Sequence, residues 1–179
     1  IMGLHEWLIQ RGYDYNVTPD LHSWLGVYKR VSDETSAAYA NKFSVSRPVA
    51  NRSIAPTGTI GILAGTTTGI EPIYAVAYKR RYLTNGTKWK YQYHVDDVAR
   101  NMIELYGVNP DAIETAADLA ADPERRIKFQ ADVQDYVDMG ISSTINLPAF
   151  SGGRDDIKKF AMVLASYASR LRGFTCYPD

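Results

Sequence analysis

One segment of this chain constrains its architecture more than any other. Between Arg52 and Glu71 no side chain is charged, and Thr, Gly, Ile and Pro dominate. Within it Ser53-Ile54-Ala55 is an apolar approach that runs into Pro56-Thr57-Gly58-Thr59-Ile60-Gly61, and the residues beyond can start a helix. A strand that turns through Pro-Thr-Gly into a helix gathers several free backbone N–H groups at one point. The helix dipole adds positive potential there, so the place suits a phosphate or another anion. Thr57 and Thr59 add hydroxyl donors, and Gly58 lets an anion approach the backbone closely. Taken by itself, Pro-Thr-Gly-Thr also reads as a plain turn with an N-cap. It is not a P-loop, because no Gly-Lys-Ser/Thr follows.

The flanking pattern alternates long helices with short strands. Ile1, Leu4 and Leu8 share one face of an opening helix that ends near Gly12. A second helix is expected over residues 20–42, with Leu21, Trp24, Leu25, Tyr28, Thr35, Tyr39 and Phe43 at spacings of three and four. Residues 73–93 are dense in Tyr, Val and Trp on either side of Thr84-Asn85-Gly86-Thr87, a strong hairpin signal. The next helix carries Val95, Val98, Met102 and Leu105 and stops at Gly107. Asn109-Pro110 and Asp122-Pro123-Glu124 each open another, since Asn and Asp cap and Pro suits the first turn. The helix after Asp122 should bury Phe129, Val133, Tyr136 and Val137. A short strand over 143–146 ends at Leu147-Pro148. Ser151-Gly152-Gly153 reads as a loop, and a helix from Asp155 carries Ile157, Phe160, Ala161, Leu164, Ala168 and Leu171. Gly173 ends that helix and a last strand follows. This order indicates an α/β fold with one hairpin as an excursion.

Composition removes several classes of function. Twenty basic and twenty acidic side chains among 179 residues give no net charge, hence no electrostatic case for nucleic acid or an anionic membrane. With 45% hydrophobic and 22% charged residues the chain is ordinary for a soluble domain, and no stretch is long enough to span a membrane. The single cysteine, Cys176, leaves no internal disulfide and fits a reducing cytoplasm. Ile1 enters the first helix with no capping residue and no signal-peptide features, and the other end stops just after a strand. We therefore expect a chain cut from, or completed by, a larger protein.

Ile54-Ala55-Pro56-Thr57-Gly58-Thr59-Ile60, followed by Ala64-Gly65-Thr66-Thr67-Thr68-Gly69-Ile70-Glu71-Pro72, closely resembles the large subunit of ribonucleotide reductases. Two later stretches resemble it in the same order. One is 129–138 with Ile141-Ser142-Ser143-Thr144-Ile145-Asn146-Leu147-Pro148, and the other is Leu171-Arg172-Gly173-Phe174-Thr175-Cys176-Tyr177. Gly3-Leu4-His5-Glu6 is like a helix that follows the family's radical-bearing loop. The resemblance covers nearly the whole chain. It implies that residues 1–179 are the C-terminal part of a ten-stranded α/β catalytic barrel, an incomplete domain. It also implies that Pro56, Thr57, Gly58, Thr59 and Ile60 hold the phosphates of a ribonucleotide substrate through backbone amides and hydroxyls. The wording leans toward the adenosylcobalamin-dependent class, with an iron or manganese radical subunit as the alternative. The implied partners are the N-terminal remainder of the reductase and an external dithiol reductant. Departures from the family pattern are Ser143, where Lys is usual, Pro48 for Asn, Cys176 for an apolar residue, and Pro178 for Arg.

In that family a cysteine thiyl abstracts a ribose hydrogen and a cysteine pair supplies electrons. The resemblance places those residues upstream of Ile1, so this chain carries no catalytic residue and should not turn over alone. Cys176 reads as a small apolar filler. Glu71 reads as orienting the loop, with an acid–base role as the alternative. His5, His22 and His94 lack ligand spacing, so no metal site is expected. His94 belongs to the start of a helix, and Tyr177 to strand packing. Arg125-Arg126 and Lys79-Arg80-Arg81 read as solvated faces. The rival to the enzyme reading is a non-catalytic nucleotide-binding or interaction fragment that completes or stabilises a partner chain.

Overall fold

A computed structural model describes residues 1–148 and 154–178; the loop expected at Ser151-Gly152-Gly153 lies outside the described residues. Helix α1, Leu4–Gln10, ends in a turn at Arg11 and Gly12, where Gly12 takes φ 67°. Helix α2, Pro19–Phe43, starts as capping rules dictate: the Thr18 hydroxyl accepts from Leu21 N, and Pro19 fills the first turn. Only Leu21, Leu25 and Ala40 of α2 are buried. Trp24, Tyr39 and Phe43 keep the spacing of three and four, yet all three are exposed. This helix enters the main core through Leu21 and Leu25 of its first turns.

Helix α3, Gly58–Ala64, follows Thr57. The strand expected before it is reduced to one parallel bridge, Ile54 with Ile141. Strands β1, Ala77–Thr84, and β2, Lys88–Val95, form the antiparallel hairpin expected around Asn85-Gly86. Asn85 and Gly86 both take positive φ, 52° and 73°, as a type I′ turn requires. The hairpin stands away from the core, and the Lys79-Arg80-Arg81 run is exposed, as read from the sequence. Helix α4, Asp97–Tyr106, is capped by Asp96 and closed by Gly107 in the left-handed region. Asn109-Pro110 opens only a single 3-10 turn, and α5, Ala116–Leu119, follows with a Thr115/Asp118 capping box. Helix α6, Pro123–Gln134, begins at the Asp122 cap.

Strand β3, Thr144–Leu147, pairs in parallel with β4, Thr175–Pro178, and the long helix α7, Arg154–Tyr167, lies between them in sequence. A parallel pair needs such a crossover, which makes this unit α/β. Helix α7 stops earlier than its apolar spacing suggested, giving way to a 3-10 turn at Ala168–Arg170. Among the described residues the strands form two separate two-stranded sheets, and no closed barrel is present. A barrel needs every strand edge paired, and β3 and β4 pair only with each other.

The main core joins α1, α2, α6 and the segment around Ile54 and Ile70: Leu8, Leu25, Phe129, Val133 and Ile141 are among its buried side chains. Each such side chain contributes about 1.5–3 kcal/mol by leaving water. As expected, Phe129, Val133 and Val137 are buried, while Tyr136 packs at the edge. A smaller cluster of Ile9, Ile73, Val98, Met102 and Ile113 fixes α4 against α1. One expectation fails outright. Arg125-Arg126 is not a solvated face: Arg126 is buried and Arg125 is paired with Glu114. Residues 126, 129, 130 and 133 share one side of α6, and that side faces the core.

Candidate functional site

The turn into α3 is built by Thr57. Its backbone takes φ 51°, the left-handed region, which a β-branched residue enters only at a cost of order 1 kcal/mol. The first intrahelical bond runs from Gly61 N to the Thr57 carbonyl at 2.7 Å. The N–H groups of Gly58, Thr59 and Ile60 precede it and so have no partner within the helix. Gly58, Thr59 and Ile60 are exposed and Thr57 is half-buried. The helix itself is apolar, and Ile62 and Leu63 are 78% and 87% exposed. Gly61 is its one buried residue; a Cβ there would stand 2.8 Å from Thr68 Cγ2.

The Thr57 hydroxyl does not cap its own helix. It accepts instead from Gly69 N at 2.8 Å, which leaves its O–H proton free to donate. Gly69 reaches that position because it passes close to the loop: its φ is 49°, and a Cβ would lie 3.2 Å from the Ala55 carbonyl. Pro56 to Ile60 and the Gly-Ile-Glu-Pro segment are thus stitched together. A second set of bonds ties the intervening threonines to α1: Gly3 N donates to the Thr67 carbonyl at 2.7 Å, and Thr66 Oγ1 donates to Glu6.

Below the loop lies a buried polar network that sequence reasoning missed. Arg126 Nη2 donates to Glu71 Oε2 at 2.8 Å, Ser143 Oγ at 3.2 Å and the Thr144 carbonyl at 2.8 Å. Its Nη1 donates to Tyr15 Oη at 2.5 Å. The Tyr15 hydroxyl in turn donates to the Ile70 carbonyl, and its ring stacks on Phe129 at 4.0 Å. Glu71 also accepts from Thr144 N at 2.5 Å. Glu71 therefore meets Arg126, Thr144 and Ser143 and holds its own segment against the start of β3. The signal for Arg126 was present: it lies at helical spacing from Phe129 and Val133, on the buried side of α6.

Burial shapes the titration of this network. The Tyr15 hydroxyl is raised well above the usual phenol range by loss of water, only partly offset by Arg126. His5 is lowered to about 4, first by burial and then by the Arg126 charge. Its Nδ1 accepts from Ile73 N at 2.9 Å, which requires an unprotonated nitrogen there and fits a neutral ring.

The other residues singled out from the sequence lie apart. Cys176 is a half-buried free thiol, rather than a fully buried filler, and Tyr177 is exposed on β4. His22 bonds Tyr136, and His94 packs on Tyr78 at the end of the hairpin. Among the described residues no group of three His, Cys, Asp or Glu could hold a metal ion. No helix among them is long and apolar enough to cross a membrane.

Comparison with known proteins agrees with this architecture. Residues 49–177 match the family model for the ribonucleotide reductase barrel domain. A vitamin B12-dependent ribonucleoside-diphosphate reductase of Mycobacterium tuberculosis is 32% identical over 83% of this chain and 24% of its own length. A protein of the same description from Thermoplasma acidophilum is 26% identical over 100% of this chain and 28% of its own. The chain thus spans about a quarter of the length of these relatives. In fold it is similar to a B12-dependent (class II) ribonucleotide reductase, with a TM-score of 0.75 at 14% identity over 99% of this chain and 29% of that one. It is also similar to the class Id reductase alpha subunit of Actinobacillus ureae, with a TM-score of 0.65 at 14% identity over 99% of this chain and 38% of that one. The chain, whose residues 49–177 carry the Thr57 turn and the Glu71–Arg126 pair, belongs to the ribonucleotide reductase barrel-domain family.

Proposed function

We propose that this chain supplies the substrate-phosphate loop of a ribonucleotide reductase, and that residues 1–179 form the C-terminal part of its ten-stranded catalytic barrel. The observation that carries the loop reading is the Thr57 turn. It points the N–H groups of Gly58, Thr59 and Ile60 outward, while Gly69 takes the acceptor side of the Thr57 hydroxyl and leaves its proton for a ligand. Backbone N–H groups and hydroxyls with no carboxylate among them suit the oxygens of a phosphate. Pro56 sets the approach, and the Thr59 hydroxyl is exposed beside the same N–H groups. Binding the phosphates there spends remote binding energy on orienting the ribose for reaction elsewhere in the protein.

The enzyme works by thiyl-radical chemistry, with its reacting cysteines in the N-terminal remainder and its electrons from an external dithiol. It acts in the cytoplasm. Cobalamin is its cofactor, a reading supported by the names of the relatives, and when bound it supplies the radical. A cleft of about 730 Å³ among the described residues is edged by Asp14, Asp111, Glu114 and Asp118, and these carboxylates do not suit a cofactor carrying a phosphodiester.

The test is Thr57→Ala with Thr59→Ala in the full-length reductase. Loss of two donors should raise KM for the ribonucleotide on the order of tenfold. Unchanged KM and unchanged kcat/KM would remove the assignment.

A further inference from the structure

We propose that Arg126 is a positioning residue for the phosphate loop, acting on it from α6. The proposal rests on the phosphate-loop reading above and goes beyond it by naming what holds the loop in shape.

The argument starts from a connected path. Arg126 grips Glu71 directly and Ile70 through Tyr15, whose hydroxyl accepts from the guanidinium and donates to the Ile70 carbonyl. Residues 70 and 71 are thereby fixed at both a side chain and a main-chain oxygen. Gly69 is the next residue, and its N–H holds Thr57 Oγ1 at 2.8 Å. A shift of the 70–71 segment by an ångström breaks that bond and frees the Thr57 turn. The same guanidinium spans to the Thr144 carbonyl at 2.8 Å, so it references the loop to the first residue of β3. A planar fork with five donors meets these acceptors from one buried position.

Position 143 opens into the same space. Ser143 is buried, and its Oγ lies 3.2 Å from Arg126 Nη2 and 3.5 Å from Glu71 Oε2. Its short hydroxyl accepts from the guanidinium and faces the carboxylate, so it completes the contacts that hold Glu71 in place.

The experiment uses the full-length reductase and compares KM for the ribonucleotide with the inhibition constant of the matching unphosphorylated ribonucleoside. Arg126→Met should raise the nucleotide KM roughly tenfold or more while the nucleoside constant moves by no more than about twofold. A merely structural role for Arg126 would instead move both constants together. Tyr15→Phe keeps the ring on Phe129 and removes only the relayed bond, so it should raise the nucleotide KM a few-fold. A wild-type nucleotide KM in Arg126→Met overturns the proposal, as does a nucleoside constant that rises in step with the nucleotide KM. If Arg126→Met fails to fold, an unchanged nucleotide KM in Tyr15→Phe overturns it. A wild-type enzyme that binds nucleotide and nucleoside alike sinks the phosphate-loop reading first, and this proposal with it.

Discussion

The Arg126 guanidinium sits 2.8 Å from the Glu71 carboxylate, and the two side chains are only 2% and 24% exposed. A pair this buried adds little net stability by attraction alone, because desolvation offsets it. Its consequence lies in what happens when one partner is lost.

Glu71→Ala strands the guanidinium and leaves Thr144 N without its acceptor, and should cost about 3 kcal/mol. Glu71→Gln keeps an acceptor for Thr144 N and should cost less. Thermal melts of the two variants in the full-length protein check the order; equal stability of both with wild type would contradict it.

Acid should weaken the fold through His5. Its pKa is about 4 in the folded chain against 6.5 for the free side chain, so the unfolded chain binds the proton first. Stability is therefore complete above pH 6.5 and declines as pH falls toward 4, by up to roughly 3 kcal/mol. His5→Gln should flatten this part of a melting-temperature profile taken between pH 7 and pH 4.5. An equally steep decline in that variant would assign the effect elsewhere.

Gly61→Ala tests the packing of α3. Alanine is the better helix former by about 1 kcal/mol, so propensity alone predicts a gain. The added Cβ would lie 2.8 Å from Thr68 Cγ2 and 3.3 Å from the Thr66 carbonyl. We expect a net loss of about 1–2 kcal/mol, seen as a lower midpoint in urea. A raised midpoint would show that the threonines yield.

Arg52 resembles Arg126 in kind. It donates to Asp33, Asp138, Ser32 and the carbonyls of Lys29 and Tyr136, joining α2 to the segment after α6. Arg52→Lys keeps the charge but cannot span these acceptors, and should cost about 1–3 kcal/mol. Retained stability, measured by denaturant titration, would mean that one ion pair suffices there.

Local signals were legible. Asp122 with Pro123 marks the start of α6, and Gly107 the end of α4. Asn85-Gly86 marks the hairpin turn for the same kind of reason, since only certain residues enter positive φ cheaply. Spacing was a weaker guide to burial. Trp24, Tyr39 and Phe43 keep helical periodicity on α2 and are nonetheless exposed, because a repeat says which residues share a face and not whether anything packs on it. Arg126 failed in the opposite direction. Adjacent arginines suggested a solvated surface, yet its place on the Phe129 and Val133 side carried it inward.

By itself the sequence determined most helices and the hairpin, the turn from Pro56 into a helix at Gly58, and the family likeness that its ordered motifs carry. Those depend on backbone dihedral preferences and on hydrogen bonds that close within about four residues. The tertiary structure alone decided that Arg126, Glu71, Tyr15 and Ser143 meet beneath the loop, and that Thr57 is held by Gly69. Partners separated by 55 residues, as Arg126 and Glu71 are, meet only when the core closes. Once out of water, a guanidinium must be paired, and that demand selected Glu71.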